Sequence, residues 1–213
     1  MEKFVLKHRG KIISFLTFGL MVALVSMPFS PYLFAEDLEE EDDVTVTATI
    51  QAWLNFAIDE TDLTLDQDLV DSDGGTHIGT ANTELTVGTN NALGWNLQIE
   101  GSNNGLAQVE GEHVISTVSG RDTLVAGTDG YGATIDDLGA LGEGNNLNIE
   151  TNWVEEADFA GEVTDSATQI VSYDGVHENT AVANFIVRAA AEAVTPSGDY
   201  TDTITITATA PID

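Results

Sequence analysis

Val44-Thr-Val-Thr-Ala-Thr-Ile-Gln-Ala-Trp-Leu-Asn-Phe-Ala-Ile58 places an apolar residue at every second position. Val44, Val46, Ala48, Ile50, Ala52, Leu54, Phe56 and Ile58 form one set, and Thr45, Thr47, Thr49, Gln51 and Asn55 fill most of the alternate places. A period of two puts the apolar set on one face of a β-strand, and threonine and valine favour extended backbone. The run is long for one strand, so a bend or a change of partner is expected near Ala52.

Working outward, the same pattern recurs in shorter pieces between turn-rich stretches. Thr83 to Thr89 puts Leu85 and Val87 on one face, and Gly94 to Glu100 does so with Trp95, Leu97 and Ile99. Asn90-Asn91 between them suits a turn. Weaker strands are predicted at His113–Val118, Thr123–Ala126, Leu147–Trp153 and Gln169–Tyr173. Clusters of Gly, Asp and Asn at 71–75, 101–105, 127–132 and 142–146 read as separators. Residues 181–193 alternate as a strand, although their alanines and an Arg188/Glu192 spacing also suit a helix; strand is the reading taken. Pro196-Ser-Gly198 turns the chain into a closing strand over Tyr200–Ala210, with Ile204, Ile206 and Ala208 inward. Many short strands without a clear helix predict an all-β, antiparallel β-sandwich over residues 44–213.

The start of the chain reads differently. Lys3, Lys7, Arg9 and Lys11 precede an apolar run from Ile12 to Met27, followed by Pro28, Pro31 and the small residue Ala35. That order predicts a secretory signal peptide over residues 1–35. The two rival readings are an uncleaved anchor and a prepilin-type cut after Gly10. The apolar run is short for a span of about 20 residues. Residues 36–43, Glu-Asp-Leu-Glu-Glu-Glu-Asp-Asp, hold seven carboxylates in eight positions and predict a solvated, disordered acidic lead-in.

After Ala35 only Arg121 and Arg188 face 35 carboxylates, a net charge of −33 with histidines neutral. So negative a field repels nucleic acid and anionic lipid, which excludes both as partners. The plainer reading is that this acidity keeps a crowded exported protein soluble; the alternative is a requirement for salt or divalent cations, which would screen the self-repulsion. With no cysteine, disulfides and thiol chemistry are also excluded, so the domain has to rely on its hydrophobic core. No further membrane span is expected once the leader is removed.

Pro196-Ser-Gly-Asp-Tyr-Thr-Asp-Thr-Ile-Thr-Ile-Thr-Ala-Thr-Ala210 resembles the closing strand of spore coat protein U-like domains and archaic chaperone–usher pilins. Val44-Thr-Val-Thr-Ala-Thr-Ile50 is similar to the first strand after the leader in such proteins. The resemblance implies an immunoglobulin-like sandwich, export, and assembly by donating a strand between subunits. The chain departs from the family in lacking cysteines and in its long Gly-, Asn- and Asp-rich middle. A looser resemblance, through Gly94-Trp95, is to cell-surface proteins of the WxL type, although their paired Trp-x-Leu motifs are missing.

Candidate chemistry is sparse. Asp71 and Asp73 in Leu69-Val-Asp-Ser-Asp-Gly-Gly75 resemble half a calcium loop, with Asp66 and Asp68 as further oxygen donors. Gly75 stands where an EF-hand loop needs its third ligand, so a polar turn is the plainer reading and Ca2+ the only cofactor considered. Asp129, Asp136 and Asp137 invite the same comparison. His77, His113 and His177 lack a metal-binding spacing, serines lack the Gly-x-Ser-x-Gly elbow, and no lysine remains to cradle phosphate. Trp53, Trp95 and Trp153 raise the prospect of a sugar-stacking surface, with Trp53 on the polar side of its strand and Trp95 on an apolar one.

The sequence therefore predicts no enzyme. It predicts an extracellular, cell-surface structural protein, a filament, pilus or coat subunit assembling with copies of itself or other surface proteins. Val44, Val46, Ala48 and Ile50 are the candidate assembly strand. The bland reading of that strand is pairing with residues 200–210 inside its own domain. The alternative function is a carbohydrate-binding or calcium-dependent adhesin module.

Overall fold

The computed structural model describes residues 47–139 and 147–211. The expected signal peptide, the acidic lead-in, Val44, Val46 and the 142–146 separator lie outside these residues. One compact unit runs from Ala48 to Asp213. Its described part is built from strands, with one short 3-10 turn at Thr151–Trp153 and no helix long and apolar enough to cross a membrane.

The strands are β1 Leu54–Ile58, β2 Ile78–Thr89, β3 Trp95–Gly101, β4 Gly105–Gln108, β5 Val114–Ser116, β6 Arg121–Thr123 and β7 Gly130–Asp137. They continue with β8 Leu147–Ile149, β9 Phe159–Gly161, β10 Thr168–Tyr173, β11 His177–Ala190, β12 Tyr200–Thr201 and β13 Ile204–Thr209. They form three separate sheets, none closed into a barrel. The first has six strands in the order β1-β2-β11-β7-β9-β6; the second has four, β13-β3-β10-β8; the third has three, β12-β4-β5. Strand pairing is antiparallel throughout.

Register explains which side chains share a face. In the first sheet Phe185 lies opposite Thr83 and Ile135, and Ala189 opposite Gly79 and Tyr131, so these residues share the core face. Arg188, opposite Thr80 and Gly132, points to the far face. In the second sheet Leu97 aligns with Val171 and Ala208, and Trp95 with Tyr173, whose rings stack at 5.8 Å. Leu85, Val87, Phe185, Leu97, Ile99, Val171 and Ile115 then belong to one buried cluster fed by all three sheets. Each fully buried aliphatic or aromatic side chain there contributes about 1.5–3 kcal/mol.

Two expectations about the opening segment are corrected. The strand begins only at Leu54, and Thr47–Trp53 belongs to no strand. The reason is the partner: β2 ends at Thr89, and the turn Asn91–Gly94 carries the chain away to the second sheet. Beyond Leu54 only side chains remain to bond. Asn90 accepts from the Trp53 amide and donates to the Gln51 carbonyl, and the Thr89 hydroxyl donates to the Trp53 carbonyl. Nor does the opening strand pair with the closing one, because β1 pairs with β2 and β13 with β3.

Smaller differences follow the same logic. The 181–193 segment is strand only as far as Ala190, as part of β11, and Arg188 pairs with Glu155 rather than Glu192. The strand expected at 123–126 is instead Arg121–Thr123. Part of the expected Gly-rich separator at 127–132 is the start of β7, an inner strand of the first sheet. The positive φ at the β2–β3 turn falls on Gly94, where a Cβ would collide with the Tyr173 carbonyl.

Candidate functional site

β1 is an outer strand of the first sheet and β13 an outer strand of the second. A groove of about 810 Å³ is lined by Ile58 of β1, by Ile204 and Ile206 of β13, and by Phe185 and Val187 on the core face of β11. Ile115 and Tyr131 complete its apolar floor. That volume lies in the range of small-ligand pockets.

The segment after β1 forms one wall. Where β1 ends, residues 59–69 take over the edge of β2: Asp59 N–H donates to the Glu84 carbonyl, Glu60 N–H to the Thr83 hydroxyl, and Asp66 N–H to the Thr80 carbonyl. Leu65 and Leu69 press onto Gly79, where a Cβ would sit 3.0 Å from atoms of both. The opposite wall is fixed by Asp202 between β12 and β13. Its carboxylate accepts from the amides of Ser102, Asn103 and Thr203 and from the Tyr131 hydroxyl at 3.1 Å. Burial and that carboxylate push the Tyr131 phenol far above its ordinary pKa, so Tyr131 stays a donor.

The rim is acidic. Glu60, Asp68, Asp71, Asp199 and Asp202 line the groove, and among the described residues no lysine, arginine or histidine does. Of the two arginines among the described residues, Arg188 makes a forked ion pair with Glu155, at 2.6 and 2.9 Å, on the far face of the first sheet. Arg121 pairs with Glu156 at 2.8 Å and lies over the Phe159 ring. Both cations thus fasten residues 155–159, away from the groove floor. Burial would raise the Glu155 carboxyl, but hydrogen bonds from Arg188 and Thr134 and the charges of both arginines hold it below its ordinary value.

The predicted site residues are dispersed. Ala48 and Ile50 are exposed, Ile50 by 86%, in the segment without strand partners; Val44 and Val46 lie outside the described residues. Asp71 is used by its own loop: one carboxylate oxygen accepts from the amides of Asp73 and Gly75, and the other lies 3.4 Å from His77 Nε2. The Gly75 amide, His77 and the Asp73 amide together lower its pKa. Asp73 contributes its backbone to that turn. Among the described residues no group of three acidic or histidine side chains is placed to hold a metal ion. Asp129 accepts from the Glu192 amide and the Thr195 hydroxyl, and so braces the 192–195 turn.

The tryptophans do not form a platform. Trp95 and Trp153 are buried in the core, which leaves Trp53, 45% exposed, by itself. His177 is buried, with Nδ1 3.0 Å from the Val87 carbonyl. Sequence reasoning missed the groove. Its one local signal is Leu63, Leu65 and Leu69, apolar residues set among acidic ones in a stretch read without structure.

The chain matches no protein-family model, no curated protein and no solved structure. What stands plainly is a folded, antiparallel all-β domain without obvious catalytic machinery among its described residues.

Proposed function

We propose that this chain is an exported, non-enzymatic structural subunit of the cell surface, a filament or coat protein of immunoglobulin-like sandwich type that assembles by strand pairing. One observation supports the reading: an alternating apolar segment, whose described part Thr47–Trp53 joins no strand, precedes β1, and a groove with an apolar floor and an acidic rim lies between the segment after β1 and β13. In this reading Val44, Val46, Ala48 and Ile50 of one copy lie along the groove of the next, their backbone satisfied by an outer strand. Burying four such side chains at about 25 cal/mol per Å2 offers several kcal/mol toward association.

The test is electron microscopy of the chain from Glu36 onward, beside a variant lacking residues 36–50. The buried core lies wholly between Leu54 and Ala208, so the deletion leaves it intact. Polymers that vanish on deletion while the core stays folded support strand donation. Polymers that survive it rule the mechanism out. A second reading, glycan contact through exposed Trp53, predicts instead a monomer whose tryptophan emission responds to oligosaccharide.

A further inference from the structure

We infer that pairing at the groove is gated by ionic strength, because donor and acceptor carry charge of one sign with no cation on either side. This rests on the strand-donation reading and names its regulation.

The acceptor side is the acidic rim. Glu60, Asp68 and Asp199 are exposed, and Asp71 and Asp202 line the same groove. His77 faces the rim residue Asp71 at 3.4 Å. His113 faces Asp129 at 3.4 Å and Tyr200 edge-on. Neither arginine is available, since Arg121 and Arg188 are held by Glu156 and Glu155.

The donor side is equally one-signed. Thr47 to Ile58 has no charged residue, but seven carboxylates precede it in 36–43, and Asp59, Glu60 and Asp62 follow it. Laying the neutral stretch into a neighbour's groove brings these acidic flanks against the acidic rim. The apolar contact favours docking at every salt concentration, whereas the repulsion depends on screening. The Debye length falls from about 30 Å at 0.01 M to about 10 Å at 0.1 M and about 3 Å at 1 M. At the low end the two acidic sets repel across the whole groove. At the high end only carboxylates in near contact still do, and burial prevails.

The experiment follows light scattering and electron microscopy of the chain from Glu36, in NaCl from 0.01 to 1 M and in MgCl2 at matched ionic strength. Tryptophan emission at each point reports that the core is folded. The comparison variant carries Glu60→Gln, Asp68→Asn and Asp199→Asn, and leaves Asp71 and Asp202, which cap turns, untouched. Single substitutions replace it should the triple variant not fold. The expected result is dispersed folded chain at low salt, polymer at high salt, and a midpoint about two- to threefold lower in the variant.

Polymer that forms equally at every salt concentration overturns the gating and leaves strand donation standing. A salt dependence that the variant does not shift places the relevant charge elsewhere and also overturns it. Assembly that needs Mg2+ at matched ionic strength replaces screening with specific binding. Folded chain that never assembles refutes the strand-donation reading itself.

Discussion

Removing the Glu155 carboxylate isolates a guanidinium that the far face of the first sheet cannot otherwise neutralise. The Arg188 side chain is 10% exposed and that of Glu155 22% exposed. Their two nitrogens and two oxygens meet at 2.6 and 2.9 Å, and Arg188 also donates to Thr134 Oγ1 at 2.8 Å and the Phe159 carbonyl at 3.3 Å. In Glu155→Ala those two neutral acceptors remain, but no charge opposes a nearly buried cation. Breaking a buried pair in this way costs about 3–5 kcal/mol. The partial exposure of Glu155 admits water, which sets the expectation near about 3 kcal/mol. For a domain of this size each kcal/mol moves the midpoint by about 2–4 °C, so thermal denaturation followed by circular dichroism should show a fall of about 9 °C. Replacing both partners, Arg188→Met with Glu155→Leu, should recover most of it, since the isolated charge goes as well. The loss should persist in 1 M NaCl, because a buried pair is weakly screened. A cost below about 0.5 kcal/mol, the value of an exposed ion pair, would refute the argument that this pair is buried and structural.

Acid should erase the difference between wild type and Glu155→Gln. The Glu155 carboxyl is held below its ordinary value in the folded chain, so its contribution is full above the unfolded-state pKa. It disappears as pH falls through the lowered folded-state value. Urea midpoints at pH 7 and pH 3 check this; a gap that widens in acid has the wrong sign. Gly79→Ala should destabilise by about 1–3 kcal/mol, because the added methyl meets Leu65 and Leu69 at 3.0 Å with the Gln67 carbonyl close behind. Urea denaturation reads it, and an unchanged midpoint means that residues 65–69 shift without cost.

How much of this fold was legible depends on what each strand touches. Leu85 and Val87, or Trp95, Leu97 and Ile99, alternate in sequence because one face of the strand meets the core and the other does not. β7 was missed because every residue from Gly130 to Ile135 is buried, so burial writes no period into it. Its small residues fit instead: a Cβ at Gly132 would meet the Gly161 carbonyl of β9 at 2.3 Å. β11 was ambiguous for a different reason: its alternation reads as a strand, but its alanines and the Arg188/Glu192 spacing also suit a helix. In the structure, irregular register between Ala181 and Ala183 also puts Val182 and Ala183 into the core side by side. Pairing was the least legible link, since nothing in Val44–Ile58 indicates that β2 rather than the closing strand lies beside it. The groove shared that opacity. Its walls are the segment after β1 and the chain around β12 and β13, and its floor comes from Ile115, Tyr131 and Phe185, far apart in sequence.

The opening segment nevertheless shows why a pattern read too far can still inform. Alternation records which side chains suit a half-buried strand; it does not record whether the domain supplies the other strand. At Leu54, Phe56 and Ile58 it does, and those side chains are half-buried against the core. At Ala48 and Ile50 the same pattern continues after β2 has turned away, and the side chains face solvent. An exposed isoleucine alone is unremarkable on a protein surface. An alternating threonine and aliphatic run whose described part, Thr47–Trp53, joins no strand is a different matter, because a β-prone run of this kind can pair with another chain's sheet edge. Proteins blunt such edges with charge, and here carboxylates crowd both flanks of the run, from Glu36 to Asp43 and from Asp59 to Asp62. In the strand-donation reading, such a segment bracketed by its own repulsion would pair under some ionic conditions and be held apart under others. The flanking charge has no such role if the segment is merely a spacer.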